Sequence, residues 1–226
     1  MTDDEFDAAL IAGAFGVAAR GGWAGMSVAV AAREAGLKLD RARSRFAGTN
    51  AILLQFGQRA DALALADALE VGPTRERLFD VVMRRFDALQ QHRAGVLALL
   101  AHLPAAPATA LMLAAATQSS MGWMLEAAGV ASAGLRGALT TQGMLAVWLY
   151  ALRAWQTDDS ADLSGTMAAL DRALSRAERV AGWAGHADAL AEPGPKPFPE
   201  PVLVDPEAHP EARAGTISDA AEAYSI

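Results

Sequence analysis

Apolar residues recur at three- and four-residue intervals along most of the first 180 positions, and β-branched runs are scarce, so the pattern predicts helices. The first spans about 3–19, with Phe6, Leu10, Ala14 and Val17 on one side. The glycine pair in "RGGW" (20–23) stops it. A short helix over 28–35 follows, with Ser27 as N-cap, Val28, Ala31 and Ala32 on one face, and Gly36 just past its end. The next covers 38–46. At 100° per residue Leu39, Ala42 and Phe46 face inward, Asp40, Arg41, Ser44 and Arg45 face away, and Arg43 sits on the flank. Thr49 can cap a long helix to about residue 70 that is apolar at Ile52, Leu53, Phe56, Leu63 and Leu65.

"VGPT" (71–74) breaks the chain, and Thr74 can cap "RERLFDVVMRRFDAL", with Leu78, Val82, Phe86 and Leu89 inward and the arginines outward. "QQH" (90–92) marks a junction, and a further helix runs to about 103. After "PAAP" (104–107) come helices over about 108–128, closed by Gly129, over 135–157, and over 161–183, the last capped by Ser160. The expected class is all-α: three short helices, a longer connecting helix, then a larger bundle.

Composition supports this, since alanine dominates and carries no rotamer cost in a helix. With no cysteine, disulfides and thiolate metal sites are excluded, and a reducing cytoplasm suits the chain. The net charge of −7 points away from nucleic acid until it is located. Residues 186–226 hold eight acids against two bases and seven of the ten prolines, leaving residues 1–185 close to neutral. That segment reads as an acidic, mostly disordered tail. The acidic start "MTDDEFD" does not fit a signal peptide. The charge-free stretch Ala94–Leu125 is interrupted by "PAAP", which favours two buried helices over a membrane span.

The basic stretch "GLKLDRARSRFAG" (36–48) then stands out. On its own it could be a solvated helix face; as the third of three short helices with a tight turn before it, it describes a helix-turn-helix. "RGGWAGMSV" (20–28), "AAREAGL" (31–37), Phe46 and the segment Ala51–Leu53 together resemble the TetR family of bacterial transcriptional regulators. The resemblance covers about fifty residues. Where that family usually has a small hydroxyl residue followed by Lys, this chain has Lys38 and Leu39. Where it has Gly, Thr and a phosphate-contacting Tyr, this chain has Asp40, Arg41 and Arg43. The back half, "QGMLAVWLYALRAWQTDDSADLSGTMAALDRALSRAERVA" (142–181), is similar to some alphaproteobacterial TetR-type proteins. It is also similar to TetR-fold ubiquinone-biosynthesis proteins that bind lipid instead of DNA. "ERLFDVVMRRFDAL" (76–89) looks like the regulator branch.

The resemblance implies a TetR-like organisation with a helix-turn-helix head (1–48), a ligand-binding and dimerisation bundle (49–185) and the tail (186–226). It implies a homodimer, formed through the last two helices, that binds a palindromic operator in double-stranded DNA and responds to a small, apolar effector. The alternative is a lipid- or quinone-binding accessory protein. Candidate DNA contacts are Lys38, Arg41, Arg43, Ser44 and Arg45, because guanidinium forks suit phosphates and guanine edges. Candidate ligand contacts are Met112, Met121, Trp123, Met124, Met144 and Trp148, adaptable or flat side chains, although a stripe of this kind is usually plain core. The tryptophans 148 and 155, seven apart, share a face that could be pocket, core or interface. "TDDSAD" (157–162) could bind a cation, but acids at a helix start more simply cap it. His92, His102, His186 and His209 form no catalytic or metal spacing, and no phosphate loop occurs, so neither an enzyme nor a cofactor is expected.

Overall fold

A computed structural model describes residues 1–181, and the expected acidic tail lies outside them. Among the described residues there are nine α-helices: α1 (Asp3–Gly21), α2 (Val28–Glu34), α3 (Leu39–Arg45), α4 (Thr49–Leu65), α5 (Thr74–Gln90), α6 (Arg93–His102), α7 (Pro107–Ala127), α8 (Gly134–Gln156) and α9 (Ser164–Ala181). A single 3₁₀ turn (Leu103–Ala105) links α6 to α7. None of these helices is long and apolar enough to cross a membrane.

Local chemistry explains most boundaries. Thr2 and Glu5 form a reciprocal capping box at the start of α1. The Ser27 hydroxyl accepts the Val30 N–H at 3.2 Å, as expected of an N-cap. Thr49 does not cap α4; its hydroxyl donates to the Met26 carbonyl, tying that helix to the loop before α2. Helix α4 also ends earlier than its apolar pattern suggests, because residues 66–73 reverse the chain into α5, and Leu63 is exposed.

The first three helices and the bundle share one close crossing. A Cβ on Gly95 of α6 would sit 2.4 Å from the Phe15 carbonyl oxygen of α1, so only glycine allows the two backbones to meet. Phe15 then packs against Trp23, Phe56 and His92, and burial pushes the His92 imidazole below its ordinary value. Phe86 of α5 stacks on Trp148 with ring centroids 4.6 Å apart and lies 6.2 Å from Trp155. Both tryptophans are therefore buried within the subunit and neither is exposed on its surface.

Two of the three acids of 157–162, Asp158 and Asp162, cap α9, whereas Asp159 is exposed beside Arg93. Asp158 accepts the Thr166 N–H and hydroxyl, each at 2.7 Å, and the Ser160 N–H and hydroxyl. Asp162 accepts the Ser164 N–H. Among the described residues no three His, Cys, Asp or Glu side chains gather as a metal site. The Ser160 hydroxyl bond, followed by those from Thr166, holds the Asp158 carboxyl well below its ordinary value of 3.8. A lowered folded-state value means stability that is present above pH 3.8 and lost as pH falls through the acid range. Asp158→Ala should cost about 1–2 kcal/mol at pH 7, and thermal melts should show the difference from the parent shrinking below pH 3.8.

Candidate nucleic-acid interface and ligand cavity

Helix α3 is held by a turn that its sequence dictates. Gly36 adopts φ +64°, a left-handed value that favours glycine, and the Leu37 N–H returns to the Ala32 carbonyl at 2.8 Å. Ala42 and Phe46 anchor the helix in the core. Leu39 does not join them and is 43% exposed, contrary to the helical-wheel expectation. The reason is positional: helical side chains lean toward the N-terminus, and Leu39 is the first residue of α3, with no preceding turn to lean on.

The cations of α3 divide into two sets. Arg41 lies over the Phe6 ring, 4.5 Å from its centroid, and bonds Asp3 at 2.7 Å. Arg45 grips both carboxylate oxygens of Asp7, at 2.5 and 2.6 Å, and reaches Asp3 at 2.6 Å. The Arg45 bond to Asp7 raises its pKa, and the Arg41 bond lowers that of Asp3. Both guanidinium groups, expected to face away from the protein, are thus turned back onto α1. Lys38 and Arg43 are exposed and make no ion pair among the described residues, as is also true of Arg33 on α2. The Ser44 hydroxyl donates to the Arg41 carbonyl.

Behind α4 lies a cavity of about 470 Å³, walled mainly by apolar side chains of α4 to α8. Leu53, Leu89, Leu99, Leu113 and Leu152 are representative of its lining. Of the six side chains expected to hold a ligand, Trp148 lines the wall and Trp123, 62% exposed, lines it from the rim. Met121, Met124 and Met144 are fully buried core, and Met112 is partly buried; none of the four lines the cavity.

Six polar residues in the wall were not anticipated: Gln58, Thr117 and Ser119, and the mutually bonded Asp61 on α4, Arg85 on α5 and Ser120 on α7. Arg85 is 5% exposed, which corrects the expectation that the arginines of α5 face outward. The helical period contained this signal, because Arg85 stands seven residues after Leu78 and three after Val82, within the inward arc. The Arg85 Nε lies 3.2 Å from an Asp61 oxygen, and the guanidinium packs over Trp148 at 4.7 Å. Ser120 donates to the other Asp61 oxygen at 2.5 Å. Burial lowers the Arg85 pKa and Asp61 opposes this.

No family model matches the sequence, and no curated protein does either. Solved structures do match. A TetR transcriptional regulator from Nitrosomonas europaea is 22% identical, with a TM-score of 0.64 covering 78% of this chain and 99% of that one. A TetR-family regulator from Streptomyces coelicolor is 20% identical, with a TM-score of 0.54 covering 84% and 87% of the two chains. One from Rhodococcus sp. RHA1 is 14% identical, with a TM-score of 0.52 covering 77% and 97%. With its three-helix head, connecting α4 and helical bundle, the chain has the fold of the TetR-family transcriptional regulators.

Proposed function

We propose that this protein is a TetR-type transcriptional regulator, a repressor that binds operator DNA through α3 and releases it when a small apolar ligand fills the cavity. The observation that carries this reading is the pair Lys38 and Arg43, exposed at the N-cap and along the outer side of a helix that a glycine turn and two buried anchors hold in place. Lys38, Arg43 and Ser44 contact DNA directly. Arg41 and Arg45, bonded to Asp3 and Asp7, set the angle of α3 and offer their remaining N–H groups to phosphate. The exposed Leu39 suits the methyl group of a thymine in the major groove.

The cavity reaches the head through packed elements. Val96 and Leu99 of α6 line it, Gly95 touches α1, and α1 carries the acids that hold Arg41 and Arg45. A ligand that shifts α6 would therefore tilt α3, changing the spacing of two heads on DNA. The apolar cavity would serve a lipid- or quinone-binding accessory protein as well. The exposed cations of α2 and α3 favour the regulator.

Two heads require a dimer. Leu135, Leu139, Gln142, Ala146, Leu149 and Arg153 of α8 are exposed at alternating four- and three-residue steps, forming one stripe that suits a second copy of the chain. Leu139→Glu with Ala146→Glu should convert a dimer to a folded monomer, as read by analytical ultracentrifugation and circular dichroism. A monomeric parent chain would remove the proposal.

Selection from a random double-stranded DNA library with the purified protein at fixed salt tests the function. A recovered palindrome with half-sites about one helical turn apart is the expected result. No enrichment at low salt, together with co-purified lipid, would instead establish the accessory-protein reading.

A further inference from the structure

We infer that the cavity selects an apolar ligand carrying an uncharged oxygen acceptor, such as a ketone, ester or hydroxyl, and that it discriminates against carboxylates. This rests on the reading of the cavity as the ligand site and specifies its chemistry. The wall is mainly apolar; Gln58, Thr117 and Ser119 add neutral polar groups to it, and its charged side chains are Asp61 and Arg85, which meet Ser120. There Arg85 is under-satisfied: its Nε faces Asp61 without hydrogen-bond geometry, its Nη1 has no partner, and its Nη2 makes only a long 3.4 Å bond to Ser120. One Asp61 oxygen also lacks a hydrogen bond. Buried orphan donors of a charged group are costly and persist in few places, and a small shift of the neighbouring side chains on ligand entry would give them an acceptor.

Charge decides which anchor partner fits. Asp61 already balances Arg85 within the same wall. A ligand carboxylate would place two negative charges around one buried guanidinium beside a mainly apolar wall, where screening by water is weak. A neutral oxygen gains the donor and leaves the balance intact. Trp148, against which both Arg85 and Phe86 pack, is part of the wall beside the anchor. The volume of about 470 Å³ falls in the ordinary range for small-molecule sites, about 300–1,000 Å³.

The test compares 2-decanone with decanoate, matched in length and differing in the head group, by isothermal titration calorimetry on the full chain at pH 7. The ketone should bind at least about tenfold more tightly. Asp61→Asn, which leaves Arg85 without its counter-ion, should reverse that order. Asp61→Leu with Arg85→Met removes both charges, keeps the fold by circular dichroism, and should weaken the ketone about tenfold. This second variant keeps the test decisive if Asp61→Asn unfolds. Preference of the parent for decanoate, or equal binding of both compounds in the parent and the double variant, would overturn the anchor while leaving the cavity a ligand site. Binding of neither compound by the folded parent would overturn the cavity reading, and this inference with it.

Discussion

Replacing Arg85 with methionine should destabilise the protein by about 3–5 kcal/mol, the cost of leaving the partner of a buried ion pair unpaired. Met keeps the apolar stem but removes the guanidinium that packs over Trp148, so the loss combines the ion pair with that stacking contact. What remains is Asp61, whose side chain is 18% exposed and which keeps only the Ser120 hydroxyl bond. That partial exposure places the expected cost at the lower end of the range. Converting both residues, Asp61→Leu with Arg85→Met, should recover most of the stability and could exceed that of the parent, because neither charge then has to be desolvated. Urea denaturation of the parent, both single variants and the double variant closes this cycle. Additive losses would mean that the two side chains act independently and that the pair is not the unit described here.

Lys38→Ala with Arg43→Ala should abolish most DNA binding while leaving the fold intact. Neither side chain makes an ion pair among the described residues, so their removal strips no internal contact of that kind. If both touch phosphate in each half of a dimer, four contacts disappear. The salt dependence of operator affinity should then fall by about three to four in its logarithmic slope, and affinity near physiological salt by about a hundredfold. Arg41→Ala with Arg45→Ala should behave differently. It releases Asp3 and Asp7 from α3, so it should lower the melting temperature of the protein as well as its affinity. Fluorescence anisotropy across a salt series, with thermal melts of the same samples, separates the two. Unchanged affinity and slope in the Lys38, Arg43 variant would remove α3 from the interface.

Two lessons about legibility come from α3 and α5. Helix α3 was located from sequence because Gly36 punctuates the turn and Ala42 and Phe46 repeat at helical spacing. The orientation of Arg41 and Arg45 was not, because the acids that capture them stand nearly forty residues earlier, on α1. In α5 the helical period places position 85 on the inner face, against the usual preference of arginine for the surface. Its partner Asp61 lies on another helix, so nothing local marked Arg85 as a paired charge. The methionines of α7 and α8 failed in the opposite direction: their type suggested a flexible pocket, but Met121, Met124 and Met144 are simply core.

The sequence by itself determined the helices, most of their ends and the helix-turn-helix order, because caps, glycine turns and the 3.6-residue period are properties of neighbouring residues. It also assigned most of the net charge to residues 186–226. Only the tertiary structure decided which cations of α3 are open and which are bound to α1. It alone placed Arg85, Asp61 and Ser120 together in the wall of a mainly apolar cavity. Those outcomes depend on which helices meet and at what distance, as where Gly95 lets α1 approach α6, and no window along the chain contains that information.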